Sequence, residues 1–104
     1  MLVEVDMCGR LNVIDDPLPK IVSDMLGSDF SAETNTDLRP TQNVSTVMCL
    51  NNALQQVDLQ WGIKPDWAKR IIVNAQAETV ATKPTFRQAF HISRVVVPCS
   101  GWYE

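Results

Sequence analysis

A cysteine near the start of the chain carries the clearest chemistry in this sequence. Cys8 follows Met7, which looks like a translation start, so removal of the preceding residues would leave Cys8 as the first residue. An N-terminal cysteine bears an α-amine and a thiol on adjacent carbons, and this 1,2-aminothiol condenses with an aldehyde to an imine that closes to a stable thiazolidine. The reaction needs no cofactor. While residues 1–6 remain attached the amine is an unreactive amide, so we interpret them as a leader or a non-native extension.

The remaining thiol and imidazole groups favour neither a disulfide framework nor a metal site. Cys8, Cys49 and Cys99 are odd in number, far apart and without a C-x-x-C pair. With His91 as the single histidine of the sequence, a zinc site would need every Cys and His in the chain. An unpaired cysteine is more often a buried, inert side chain than a nucleophile, and this alternative stays open for Cys8 taken alone.

Length and composition describe one folded domain or part of one. Hydrophobic residues make up 45% and charged residues 20% of the 104 residues, which is typical of a folded chain with a modest core. Nothing in the sequence approaches the run of about 18 apolar residues that spans a membrane. The start of the chain has no Lys or Arg before Arg10, unlike a signal peptide. We interpret the protein as cytoplasmic.

The net charge of −3 hides an asymmetry along the chain. Residues 1–60 contain nine acidic and three basic side chains, whereas residues 61–94 contain six basic and two acidic ones. Trp61, Trp67 and Phe86 lie among these bases. Interleaved bases and aromatics are typical of surfaces that bind single-stranded nucleic acid. A solvated charged face above core tryptophans is the alternative that the composition leaves open.

Apolar spacing predicts one clear helix and several strands. We expect the helix to be capped by Asp15 or Asp16, to contain Pro17 in its first turn and to end at Gly27. A polar loop is expected over residues 28–37. Strands are expected at 44–50, 56–61, 71–73 and, buried, at 95–97, with a turn at Asn51-Asn52 and short helical turns at 66–69 and 85–89.

Six short motifs occur in the order and spacing of a known family. They are Met7-Cys8-Gly9-Arg10, Arg39-Pro40-Thr41-Gln42, Trp61-Gly62-Ile63-Lys64-Pro65-Asp66-Trp67-Ala68, Asn74-Ala75-Gln76-Ala77-Glu78-Thr79, Lys83-Pro84-Thr85-Phe86-Arg87 and Val97-Pro98-Cys99-Ser100-Gly101-Trp102-Tyr103-Glu104. Together they resemble the SRAP domain (SOS-response-associated peptidase), the abasic-site-crosslinking proteins that guard single-stranded DNA. The resemblance covers residues 7–104, which is about the first half of that family's domain.

The resemblance implies a fold, a partner and a set of site residues. The fold is α+β, a β-dominated mixed sheet or partial barrel with a few short helices. The partner is single-stranded DNA containing abasic sites, and the activity is a thiazolidine crosslink between Cys8 and the ring-opened sugar aldehyde in the DNA damage (SOS) response. Asn74 is implied to position the lesion, and Glu104 to move protons as a general acid and base. The DNA-binding residues implied are Arg10, Pro40, Trp67, Gln76 and Arg87.

Two features of this sequence depart from the family pattern. Gln76 stands where the family commonly has arginine, and glutamine cannot neutralise a phosphate. The family's histidine lies in the second half of the domain, and His91 precedes the Gly-Trp-Tyr-Glu motif and does not match it.

Two other functions therefore stay open: a thiol peptidase or autopeptidase with Cys8 as nucleophile, and an inactive, self-associating half-domain with residual DNA binding. The peptidase lacks a matched histidine to activate the thiol.

The C-terminal motif leads to an expectation about assembly. The chain stops at Glu104, directly after Gly101-Trp102-Tyr103, without a cap or a polar tail, and we interpret the domain as truncated. A strand left open there presents unpaired backbone groups and apolar side chains. We therefore expect residues 95–104 to form an open edge and the chain to form a homodimer through it.

Overall fold

The computed structural model describes residues 9–103, so Cys8, Glu104 and the extension at residues 1–6 lie outside the described residues. Strands dominate this part of the chain, and the predicted α+β class is confirmed. The elements in chain order are β1 (Arg10–Val13), α1 (Leu18–Leu26), β2 (Asn35–Leu38), β3 (Asn43–Leu50), β4 (Ala53–Gln60), α2 (Arg87–Ile92), β5 (Val95–Val96) and β6 (Gly101–Tyr103).

The strands form two three-stranded antiparallel sheets. In the first sheet β1 lies between β2 and β6, and in the second β3 lies between β4 and β5. Strand β1 pairs Leu11 with Leu38 of β2 on one side and with Trp102 of β6 on the other. The first sheet therefore joins the start of the described chain to its end.

The second sheet is built on a hairpin that the sequence predicts. Strands β3 and β4 pair along their whole length, and Leu50 faces Ala53 across the turn. Asn51 and Asn52 make this turn with φ of 52° and 64°. Asparagine is one of the few L-residues that adopts this left-handed region readily, and two such residues match the right-handed twist of a hairpin.

The core lies where the two sheets meet. Leu11, Val13 and Leu38 of the first sheet form one buried cluster with Val44 of the second. Each such side chain contributes about 1.5–3 kcal/mol when it leaves water. Among the described residues Val47 and Phe30 are the other buried hydrophobic side chains, so the core is small and positions only the central strands firmly.

Helix α1 forms where predicted, but its N-terminal cap differs. Pro17 is the capping residue, and no side chain donates or accepts a cap hydrogen bond, so the prediction of capping by Asp15 or Asp16 is wrong. The backbone N–H of Asp15 instead donates to Oγ1 of Thr34 at 2.9 Å. Gly27 ends the helix with φ of 71°, and its N–H donates to the carbonyl of Ser23, as glycine at this position commonly does.

The structure corrects several other element predictions. Strand β2 occupies part of the expected polar loop, and α2 begins at Arg87, two residues later than expected. Residues 71–73 contribute one bridge, Ile63 with Ile72, in place of a full strand. Strand β5 is shorter than expected and its Val96 is 66% exposed, because β5 is an edge strand with only β3 beside it. None of the helices between residues 9 and 103 is long and apolar enough to cross a membrane.

Candidate functional site

The two ends of the described chain meet at the pairing of β1 with β6. Arg10 lies opposite Tyr103, and the backbone N–H of Gly9 donates to the carbonyl of Tyr103 at 3.5 Å. Gly9 is bonded to Cys8, and Tyr103 is bonded to Glu104. The pairing thus holds the covalent neighbours of two predicted catalytic residues side by side, although Cys8 and Glu104 themselves lie outside the described residues.

A cluster of charged side chains projects from the solvent face of the first sheet. Leu11 and Leu38 face each other across β1 and β2, and both are buried. Side chains alternate between the faces of a strand, so the neighbouring Arg10, Asp37 and Arg39 project from the opposite face. Asp37 receives hydrogen bonds from Nη1 of Arg10 at 3.1 Å and from Nε of Arg39 at 2.9 Å.

The electrostatics of this cluster keep Asp37 ionised. The hydrogen bond from Arg39, with a further one from Arg10, holds the pKa of the Asp37 carboxyl below its ordinary value. Because the pKa is lowered on folding, this contribution to stability is present at neutral pH and is lost as the pH falls through the lowered value. The three side chains are between 46% and 59% exposed, so solvent screens their attraction.

The Arg10 guanidinium is also held from the side of β6. Its central carbon lies 4.6 Å from the centroid of the Tyr103 ring, which is the distance of a cation–π contact. The Tyr103 hydroxyl donates to the carbonyl of Thr36 in β2 at 3.0 Å. Arg10 therefore lies between the Tyr103 ring, which β6 supplies, and the Asp37 carboxylate, which β2 supplies.

Asn74 is positioned through Trp61. The indole N–H of Trp61 donates to the carbonyl of Val73 at 3.2 Å. Ile63 and Ile72 exchange two backbone hydrogen bonds of 2.9 and 2.7 Å in the same region. Asn74 follows Val73 directly and is half-buried. Of the three predicted catalytic residues, Asn74 is the one that lies within the described residues.

The turn containing Pro40 is tied to the same tryptophan. The N–H of Thr41 donates to the carbonyl of Trp61 at 2.9 Å, and the N–H of Trp61 donates to the carbonyl of Gln42 at 3.0 Å. Thr41 has φ of 81°, a strained conformation for a β-branched residue that persists only when the surroundings hold it. Hydrogen bonds therefore connect the Pro40 turn, Trp61 and the chain leading to Asn74.

The other predicted DNA-binding residues lie on separate turns of the basic segment. Trp67 is 68% exposed on a turn closed by the hydrogen bond from Ala68 to Pro65. Gln76 is exposed, and its carbonyl accepts the N–H groups of Thr79 and Val80. Arg87 is exposed at the first residue of α2. Within the described part of the chain, no hydrogen bond or ion pair joins Arg10 to these three side chains.

Two cavities lie against the core, and neither is lined by a predicted site residue. One, of about 570 Å³, is bordered by polar side chains that include Glu33, Asn35 and Asp58. The other, of about 370 Å³, is apolar and lies beside Trp61, Val97 and Cys99. The described site residues therefore lie outside these two cavities.

Sequence reasoning missed Asp37, and it treated Arg39 only as part of a motif. The signal that would have found them is their spacing. Residues two apart in extended chain share a face, so Asp37 and Arg39 converge once residues 35–38 are recognised as a strand that ends directly before Arg39. The strand was not predicted because its sequence, Asn-Thr-Asp-Leu, is mostly polar and is typical of a loop.

Comparison with known proteins fits this arrangement. The family model described as SOS response associated peptidase (SRAP) matches residues 7–104. The chain belongs to the SRAP family. The resemblance noted from the motifs is thereby confirmed, and the described sheets are those of an SRAP chain.

Curated relatives of this SRAP chain are named for abasic-site processing. Abasic site processing protein YoqW, in Bacillus subtilis (strain 168) and in Bacillus phage SPbeta, is 30% identical over 106 residues, which cover 94% of this chain and 47% of the relative. Abasic site processing protein YoaM of Bacillus subtilis (strain 168) is 29% identical over the same shares. The chain thus spans about half the length of the curated relatives it matches. No solved structure matches the chain.

The hydrogen bond from Trp61 to Val73 can be tested by Trp61→Phe. This change keeps an aromatic ring beside the core but removes the indole N–H, leaving the Val73 carbonyl without that donor. We expect the free energy of unfolding of the SRAP chain to fall by about 0.5–1.5 kcal/mol, as measured by urea titration. Trp102→Phe is the control, since Trp102 is 61% exposed, and should cost less than about 0.5 kcal/mol. Equal losses would show that the indole hydrogen bond does not hold this region.

Proposed function

We propose that this chain senses abasic sites in single-stranded DNA and crosslinks to them through the α-amine and thiol of Cys8. The proposal is supported by membership of the SRAP family and by relatives named as abasic site processing proteins. The observation that carries it is the hydrogen bond between Gly9 and Tyr103, because it brings together the covalent neighbours of Cys8 and Glu104. The setting we propose is the SOS response to DNA damage.

The proposed reaction is a condensation that needs no redox partner. The α-amine of Cys8 adds to the aldehyde of the ring-opened abasic sugar, and loss of one water gives an imine. The thiol sulfur then adds to the imine carbon while its proton passes to the nitrogen, which closes a thiazolidine. One water is released in total. Glu104 is proposed to carry protons during ring opening and imine formation, and Asn74 to position the lesion.

The DNA strand is proposed to lie along the basic segment. This segment carries a net positive charge, and Trp67 presents most of its indole to solvent. Bases of any sequence stack on exposed aromatic rings, while basic side chains contact phosphates. Arg87 and Arg10 are proposed to contact phosphates, and Pro40 and Gln76 to border the strand, with Gln76 as a neutral hydrogen-bonding group.

Crosslinking requires a free amine on Cys8, so processing of the N-terminus should control it. A chain that begins at Cys8 should form a covalent adduct with an oligonucleotide containing one abasic site, and the 104-residue chain should not. Intact mass spectrometry measures both. The expected adduct mass is the sum of protein and oligonucleotide less one water.

Cys8→Ser and Cys49→Ser make a matched pair for this experiment, because Cys49 is an exposed free thiol elsewhere in the structure. Cys8→Ser should abolish the thiazolidine, and Cys49→Ser should leave adduct formation unchanged. An equal yield from the untrimmed chain would contradict the amine-dependent mechanism. Loss of the leader without any adduct would instead support an autopeptidase.

Stacking on Trp67 gives a prediction for noncovalent binding. A base stacked on an exposed aromatic ring contributes about 1–3 kcal/mol, so Trp67→Ala should weaken binding to an unmodified single-stranded oligonucleotide roughly tenfold. Fluorescence anisotropy measures the dissociation constant. Met25→Ala, which removes an exposed apolar side chain from α1 outside the basic segment, should weaken binding much less. Affinity that does not fall with added salt would contradict phosphate contacts.

We also propose that the chain self-associates through its edge strands. Strands β5 and β6 each lie at the edge of a sheet, and Val96 and Trp102 on them are 66% and 61% exposed. An exposed edge with apolar side chains pairs readily with another copy. A two-fold dimer would satisfy the free backbone groups of both copies.

Sedimentation velocity tests this assembly. The wild-type chain should sediment as a dimer at micromolar concentration, and Val96→Lys should shift it to the monomer, because a lysine on an edge strand opposes pairing. Met25→Lys is the matched control, since Met25 is 80% exposed on α1 and not on a strand. A wild-type chain that stays monomeric at high concentration would overturn the proposal.

A further inference from the structure

The solvent face of the first sheet carries two arginines that converge on one point. Nη1 of Arg10 and Nε of Arg39 bind different oxygens of the Asp37 carboxylate, at 3.1 and 2.9 Å. A guanidinium is a planar donor that fits the oxygens of carboxylates and phosphates alike. Because both guanidiniums already donate to one carboxylate, the same two donors can bind another anionic group, such as a phosphate, between them.

The Arg10 side chain and the Arg39 backbone are held in this arrangement by contacts other than Asp37. Arg10 lies against the ring of Tyr103, whose hydroxyl is bonded to the carbonyl of Thr36. The backbone of Arg39 is held by Gln42, whose Oε1 accepts the Arg39 N–H at 2.8 Å and whose own N–H donates to the Arg39 carbonyl. Arg10 therefore loses less side-chain freedom on binding, which favours affinity.

The cluster of Arg10, Asp37 and Arg39 has a net charge that favours binding of an anion. Two guanidiniums face one carboxylate, so the cluster keeps a net positive charge. The Asp37 side chain is 48% exposed, and exposed ion pairs of this kind contribute little to stability. A phosphodiester, with its negative charge spread over two free oxygens, can take the place of the carboxylate at small cost.

We propose that Arg10 and Arg39 form a binding site for a backbone phosphate of single-stranded DNA, in which Asp37 occupies the anion position in the free protein. Asp37 thus has two effects. It keeps the guanidiniums together before DNA arrives, and it competes with the phosphate for them. Arg10 lies one residue from Gly9, so the site anchors the strand beside the chain that leads to Cys8. The inference rests on the proposed single-stranded DNA partner.

The test measures equilibrium binding of an unmodified single-stranded oligonucleotide, which has no aldehyde. Arg39→Gln should weaken binding about three- to tenfold. It should also lower the slope of log affinity against log salt by about 0.7, the value for one lost phosphate contact on a single strand. Lys20→Gln, at an exposed position on α1, removes the same charge elsewhere and should have less effect. Equal effects from both variants would overturn the proposal.

Asp37→Asn tests the competition. It removes the competing charge and keeps the side chain's size, so binding should become several-fold tighter. Asp58→Asn, at an exposed position on β4, changes the net charge by the same amount and should tighten binding less. Weaker binding by Asp37→Asn, or the same gain from both variants, would overturn the proposal.

Arg39→Lys separates geometry from charge. Lysine keeps the charge but not the planar donor, so it should recover only part of the affinity lost in Arg39→Gln. Full recovery would show general electrostatic attraction and overturn the proposal. Because the oligonucleotide carries no abasic site, failure of the crosslinking reaction leaves these results unaffected, and the two proposals can fail separately.

Discussion

The antiparallel pairing of β1 with β6 is the interaction on which the candidate site depends. Arg10, Leu11 and Asn12 lie opposite Tyr103, Trp102 and Gly101. The same strand β1 contributes Leu11 to the core and Arg10 to the solvent face. One short strand therefore fixes the core and both ends of the described chain at once, and any change that moves it moves the charged cluster too.

Trp61 connects the rest of the site to this sheet. Its backbone is bonded to the turn that contains Pro40, and its indole is bonded to the chain before Asn74. Gly62 follows with φ of 93°, and a Cβ there would lie 2.7 Å from Cδ1 of Ile71. Only glycine fits this close approach without strain, which explains why Trp61 is followed by glycine at the point where the two segments meet.

The sequence predicted local features well and non-local ones poorly. Helix α1 and the Asn51-Asn52 turn follow from apolar spacing and from residues that suit their backbone angles, and both are confirmed. Strand β2 was missed because its four residues include only one apolar side chain, and β1 because it begins at Arg10, the last residue of a motif considered for its chemistry. The burial of β5 was predicted wrongly, since apolar composition does not show which strand lies at an edge. For the site, the motifs named residues, whereas the convergence of Asp37 and Arg39 depends on strand pairing that no local pattern encodes.

The two sheets differ in how far apart in the chain their partners are. Strands β3 and β4 meet across a two-residue turn, whereas β1 and β6 close almost the whole described chain into one loop. Contacts between distant residues are favoured only after the chain between them has been ordered, because loop closure costs entropy first. The pairing that holds Gly9 against Tyr103 therefore carries a larger loop-closure cost than the hairpin does. Separation of β1 from β6 would part the neighbours of Cys8 from those of Glu104, so any reactivity that needs both residues depends on this long-range pairing being intact.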